Sequence, residues 1–213
     1  KPDECLQFAD AVCVGEGEES IVELAKRVES AAGYDDIPGL WTKTGKREMR
    51  LLIQDLDSLP FPDQDYDTHY ISVGIHLQRM TRELLSEYTG GIYFAMATRG
   101  CPYGCTYCIN NVLNKMYRGQ RILRKRSPES MIEELVQAKT TLPVSTILLD
   151  DDSFFMNTVE DIRRFSQGYK EKVSLPLTVM GAAPTTLSEE KLSPLVDAGL
   201  ECIRIGIQTA SER

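Results

Sequence analysis

Ile92-Tyr93-Phe94-Ala95-Met96-Ala97-Thr98-Arg99-Gly100-Cys101-Pro102-Tyr103-Gly104-Cys105-Thr106-Tyr107-Cys108 is the stretch on which the reading turns. Residues 92–97 form an apolar run of strand length. The loop that follows spaces its cysteines C-x3-C-x2-C. Thiolates this close suit one soft metal centre. Structural zinc takes four ligands, usually as two separated pairs; here no second pair follows and no histidine is near. An ordinary [4Fe–4S] site uses four cysteines, so three would leave one iron without a protein ligand, an open position of the kind catalytic metals keep. Gly100 and Gly104 let the backbone turn tightly, and Tyr107 can pack on the cluster and limit water. A non-catalytic reading stays open: an iron–sulfur or zinc module with a remote fourth cysteine. Cys202 is the candidate, although Cys202-Ile203-Arg204-Ile205 reads as the setting of a core thiol.

Downstream, strands and helices alternate. Strand-like runs cover 145–149, 175–180 and 202–207, and helical patterns cover 128–139, 158–171 and 188–198. Ser127 with Pro128 starts the first helix, and Ser188 and Gly199 bracket the last. Such alternation predicts successive parallel units. The expected fold class is therefore α/β, a partial (β/α) barrel with four strands visible, since a complete one takes about 250 residues. Its sheet would end at an uncovered edge, so the 213 residues alone are expected to be inactive or poorly stable.

Function in parallel architectures lies at the carboxyl ends of strands, which singles out two more loops. In Asp150-Asp151-Asp152-Ser153-Phe154-Phe155, adjacent carboxylates favour a cationic partner; the alternative is a solvated, helix-capping turn before Thr158. In residues 203–208, period-two alternation puts Arg204, Gly206 and Gln208 on one face, toward the barrel interior, and Ile203, Ile205 and Ile207 toward the helices.

Upstream, Ala11-Val12-Cys13-Val14-Gly15 reads as a strand, a glycine turn follows, and residues 21–28 are helical, half of a parallel α/β unit. Gly15-Glu16-Gly17 does not read as a phosphate loop, because Glu16, Glu18 and Glu19 already complement the helix dipole and would repel an anion. Residues 35–67 carry turn chemistry at Pro38-Gly39 and Pro60-Phe61-Pro62, with a small hairpin over 40–43 and 47–53. Trp41 is expected to pack that hairpin on a neighbour, and His69 and His76 to be surface or satisfied polar residues.

Composition sets the outer bounds. The 213 residues hold 24 Lys and Arg against 32 Asp and Glu, a net charge of −8. Residues 1–67 alone carry 7 basic and 16 acidic side chains, which argues against nucleic acid there. The run Lys115, Arg118, Arg121, Arg124, Lys125, Arg126 is basic but has only Tyr117 for an aromatic, so nucleic acid is not the expected partner. At 42% apolar and 26% charged the balance is that of a globular protein. No apolar run approaches the ~20 residues of a membrane span, and no signal peptide opens the chain. The start at Lys1 suggests an excerpt. Six cysteines, three of them clustered, point to a reducing, cytoplasmic setting rather than a disulfide scaffold.

Cys101, Cys105, Tyr107 and Cys108 resemble the signature of the radical S-adenosylmethionine family, C-x3-C-x-aromatic-C after the first barrel strand. The resemblance implies a site-differentiated [4Fe–4S] cluster on the three cysteines, with the cofactor S-adenosylmethionine chelating the free iron. One-electron reduction would split the cofactor and give a 5′-deoxyadenosyl radical that abstracts hydrogen from an unactivated carbon. It implies that Asp151 and Asp152 meet the cofactor's amino group with Phe154 beneath, and that Gln208 and Thr209 match the strand-end motif reaching its ribose or carboxylate. Ala210 stands where the family usually has glycine. Asp10-Ala11-Val12-Cys13-Val14-Gly15-Glu16-Gly17-Glu18 resembles the last βα unit of the Rossmann-like cobalamin-binding domain that precedes many such cores. Ile37-Pro38-Gly39-Leu40 and Leu59-Pro60-Phe61-Pro62 resemble its linker. The expected division is thus 1–34 for the end of a cobalamin domain, 35–88 for the linker, and 89–213 for the first part of the barrel. The implied activity is cobalamin-dependent methylation of an unactivated carbon in a small molecule. The implied electron donor is a flavodoxin or ferredoxin. A radical cyclase or rearrangement enzyme, or an RNA methylthiotransferase, is the alternative.

Overall fold

The computed structural model describes residues 1–208. In chain order these form α1 (Pro2–Cys5), β1 (Ala11–Cys13), α2 (Glu18–Glu29), β2 (Leu40–Thr42), β3 (Tyr70–Val73), β4 (His76–Arg79), α3 (Arg82–Thr89), β5 (Ile92–Ala95) and β6 (Thr98–Arg99). Then come α4 (Ile109–Met116), β7 (Arg124–Lys125), α5 (Pro128–Thr141), β8 (Thr146–Leu149), α6 (Val159–Gly168), β9 (Leu177–Ala182), α7 (Glu189–Ala198) and β10 (Leu200–Ile205). The chain divides into two compact units. One joins Lys1–Gln54 to Pro102–Ile122, and the other joins Asp55–Cys101 to the chain from Leu123 onward.

In the first unit, β1 pairs antiparallel with β2, Val12 opposite Trp41. The strand, turn and helix expected at 11–28 are present, but the only strand paired with β1 among the described residues is antiparallel. Ser20, fully buried, fastens α2 by donating to the Pro38 carbonyl at 2.9 Å and accepting from Arg50 at 3.1 Å. Arg50 also meets Glu19 and Glu23. Gly15 is needed for a close approach. Its φ is +100°, and a Cβ there would stand 2.0 Å from the hydroxyl oxygen of buried Tyr117, which accepts from the Glu16 amide at 3.1 Å. The glycine turn therefore seats a tyrosine rather than a phosphate. Trp41 closes its own turn, donating to the Arg47 carbonyl at 3.2 Å beneath Lys46.

The second unit is built on a four-stranded sheet in the order β10-β9-β8-β5, every neighbouring pair parallel. All four strands fall where the alternation predicts, as do α5, α6 and α7. Ser127 caps α5 by accepting from the Ser130 amide at 3.1 Å, and Thr158 caps α6 through the Asp161 amide at 3.1 Å. Ser188 makes no side-chain cap bond. The core lies between sheet and helices: Ile147, Leu149, Leu177 and Val179 meet Met131, Leu135, Ile162, Phe165, Tyr169 and Leu195. Phe154 belongs to this core, edge-on to Phe155 and Phe165 at 5.4 and 5.8 Å, and is not open to a cofactor. The hairpin β3–β4, turning at Gly74 with φ +62°, was hidden within the expected linker. His69 and His76 are exposed, as their lack of partners at metal spacing suggested. Cys202 is exposed too, not a core thiol. Of the isoleucines assigned to the helix face of β10, Ile203 packs on the core while Ile205 and Ile207 lie open.

Candidate metal centre and cofactor site

β5 ends at Ala95, and the chain then bends into β6, which pairs antiparallel with β7, Thr98 opposite Lys125 and Arg99 opposite Arg124. The Arg126 amide adds a bond to the Ala97 carbonyl at 2.9 Å. This two-residue ribbon ties the strand exit to the end of the excursion that carries the cysteines.

Cys101 follows the ribbon in the second unit, and Cys105 and Cys108 lie in the first. Cys105 and Cys108 share one turn, the Cys108 amide donating to the Cys105 carbonyl at 3.1 Å. Cys108 is also the N-cap of α4, with extended backbone (φ −96°, ψ 140°). The first amides of a helix lack intrahelical partners and favour negative charge, which suits a thiolate-ligated centre. Tyr107 is 69% exposed beside them. Desolvation, then the sulfurs of Cys105 and Cys108, push its phenol above the ordinary 10.0. None of the six cysteines is joined in a disulfide. The donor set thus fits an iron–sulfur cluster in kind: three soft thiols outside any disulfide, two of them on a turn at a helix N-terminus. Among the described residues, no three His, Cys, Asp or Glu side chains converge at metal-ligating distance.

The loop after β8 is held firmly. Lys125 donates to the Met156 carbonyl at 2.9 Å, Lys191 to the Phe155 carbonyl at 2.5 Å, and Asn157 to the Phe154 carbonyl at 2.9 Å. Asp151 is 4% exposed and turned onto the β5 exit. One carboxylate oxygen accepts from the Ala97 amide at 2.9 Å, and the other accepts from the Thr98 amide and hydroxyl, both at 2.6 Å. Burial pushes its carboxyl up to about 6, against the pull of these three bonds, and neighbouring Asp152 adds to the rise. Asp150 and Asp152 are exposed. Of the three adjacent carboxylates, the structure therefore separates a buried strap from two solvent-exposed side chains. Gly181 of β9, at φ +71°, permits the closest approach here, since a Cβ would stand 2.0 Å from the Asp151 carbonyl oxygen.

A cleft of about 290 Å³ opens beside the carboxyl end of β5, with Phe94, Met96 and Pro60 for apolar walls and Arg99, Arg126 and Asp150 for charge. Behind it, Glu134 of α5 accepts from Tyr93 of β5 at 2.8 Å and pairs with Arg126, whose guanidinium lies over Phe61 at 5.4 Å. No signal in the sequence marked this network beyond the apolar pattern around it. Gln208 is exposed just beyond β10, its Nε2 standing 2.5 Å from where a Cβ on Gly206 would fall. Thr209 lies outside the described residues. No helix is long and apolar enough to cross a membrane, among the described residues.

Residues 96–213 match the Radical SAM superfamily. Among solved structures, the chain is similar to the radical S-adenosylmethionine methyltransferase TsrM from Kitasatospora setae, solved with a tryptophan substrate and the analogue aza-SAM bound. The likeness has a TM-score of 0.63 at 20% identity and covers 92% of this chain. This chain spans 37% of that one. At this identity the likeness concerns the fold. No curated protein matches the chain.

Proposed function

The chain belongs to the radical S-adenosylmethionine superfamily, and from that premise we propose that it is the part of an enzyme that binds a [4Fe–4S] cluster through Cys101, Cys105 and Cys108 and cleaves S-adenosylmethionine reductively. The observation that carries this reading is the position of the three-thiol loop: it leaves the carboxyl end of a strand in a parallel sheet, within the stretch that matches the family. We read the sheet as the opening of a partial barrel. The division at 1–34, 35–88 and 89–213 remains our reading of the parts. When bound, the cluster supplies the electron that splits the cofactor into methionine and a 5′-deoxyadenosyl radical.

The chain's own residues position and shield. The α4 N-terminus favours the negative charge of a thiolate-bound centre, and Tyr107, beside Cys105, would pack on the bound cluster. Asp152, open at the end of β8, is the carboxylate for the cofactor's ammonium group, and Gln208 and Thr209 serve its ribose or carboxylate. Phe94 and Met96 give the cleft beside the strand ends apolar walls, and exclusion of water there would protect a radical from quenching. A flavodoxin or ferredoxin would deliver the electron in a reducing, cytoplasmic setting.

The finer reaction we assign is methylation of an unactivated carbon in a small molecule, with cobalamin as methyl carrier. The fold likeness to a methyltransferase supports the reaction class, and the resemblance of residues 10–18 to the end of a cobalamin domain supports the carrier. The test is anaerobic reconstitution of the full-length protein with iron and sulfide, then addition of S-adenosylmethionine and dithionite. The expected products are methionine and 5′-deoxyadenosine, both lost in the Cys105→Ala variant. A full-length protein that takes up iron yet leaves the cofactor intact would favour the binding-module reading.

A further inference from the structure

Family resemblance assigns Asp151 to the cofactor, but its carboxylate is already engaged. Three donors from Ala97 and Thr98 reach its two oxygens within 2.9 Å. The side chain is sealed from solvent, and so is Thr98, at 1% exposed. These donors sit where β5 stops and β6 begins, a bend that leaves backbone amides outside the sheet ladder. A buried amide without an acceptor is costly, so one carboxylate from the neighbouring strand satisfies the whole bend. The far side of Asp151 is fixed as well, because Gly181 lets β9 close on its carbonyl. Cys101 lies three residues past Thr98.

We infer that Asp151 is a positioning residue: its carboxylate clamps the β5 exit at Ala97 and Thr98 and so sets the direction in which the chain delivers Cys101 to the cluster. The inference rests on the cluster reading above for its consequence, though not for the clamp itself. Asn at 151 would keep one carbonyl oxygen for Thr98 but aim an amino group at the Ala97 amide, donor against donor. Thr98→Val removes only the hydroxyl bond and keeps the branched shape.

The test uses the full-length, anaerobically reconstituted protein. Four forms are compared: unaltered, Asp151→Asn, Thr98→Val, and Ile147→Val as a control that weakens the same sheet without touching the clamp. Three quantities are read: amide exchange at Ala97 and Thr98, the electron paramagnetic resonance spectrum of the reduced cluster with increasing S-adenosylmethionine, and Tm. Losing a bond to a charged acceptor is expected to raise the cofactor concentration needed for the spectral change about tenfold in Asp151→Asn. A smaller rise is expected in Thr98→Val, with faster exchange at Ala97 and Thr98 in Asp151→Asn. The control should lose a similar Tm with no spectral shift. Cofactor response in Asp151→Asn that equals the control's overturns the inference, as does unchanged exchange at the two amides. Should Asp151→Asn fail to fold, Thr98→Val decides by the same criteria. If the unaltered protein shows no cluster signal, the functional reading fails, and amide exchange alone then decides whether the clamp exists.

Discussion

Two opposed forces act on the carboxyl of Asp151. Three donors hold its charge, yet burial prevails and lifts the group from 3.8 to about 6. Between those values the folded chain keeps a proton that the unfolded chain has released, so this side chain's contribution to stability falls as pH rises from about 4 to about 6 and is level above that. The Tm difference between the unaltered protein and Asp151→Asn should therefore shrink across that window, and a difference that grows with pH would contradict the assignment. Gly181 offers a sharper test of the same corner. A methyl group there meets the Asp151 carbonyl at 2.0 Å and adds left-handed strain, so Gly181→Ala should cost about 3 kcal/mol or more in urea unfolding. Neither residue could be understood from the sequence. The Asp-Asp-Asp run reads as open charge, and only tertiary contact with the bend 53 residues upstream turns its middle member inward. Gly15 teaches the same lesson, since its purpose is a tyrosine hydroxyl 102 positions away in the chain.

At the scale of elements, the parallel strands and their helices were legible because they carry their own signals: apolar runs of strand length, a cap at Ser127, and Gly199 at a left-handed helix end (φ +112°). The hairpin β3–β4 was not, because Tyr70, Ile75 and Leu77 are largely exposed and its pattern points to no core. The strand at 11–13 was found, but its pairing was not, since partner and direction depend on residues 40–42. Helix α5 is held to β5 by the Glu134 carboxylate, which is 2% exposed and meets Tyr93 and Arg126. Glu134→Ala would leave the Arg126 charge without its partner, at an expected cost of about 3–5 kcal/mol. Chemical denaturation of the variant beside Glu129→Ala, whose exposed pair with Arg164 should contribute under about 1 kcal/mol, checks this. Equal losses in the two would contradict a buried network behind the cleft.

At the scale of the molecule, the family was readable in eight residues, Cys101 to Cys108, because a metal centre demands particular atoms at particular spacing. What surrounds those atoms was less so: which carboxylate is exposed, which is buried against the backbone, and which thiol lies exposed. The central claim is that three protein thiolates leave one iron of a cubane free for S-adenosylmethionine. Mössbauer spectroscopy of the full-length protein reconstituted with iron-57 tests it most directly. The account expects the four irons to overlap in one unresolved doublet without the cofactor and, on its addition, about a quarter of the absorption to move to a larger isomer shift as the iron without a thiolate gains nitrogen and oxygen ligands. A spectrum that stays unchanged with saturating cofactor, or a fourth protein ligand on the remaining iron, would contradict it.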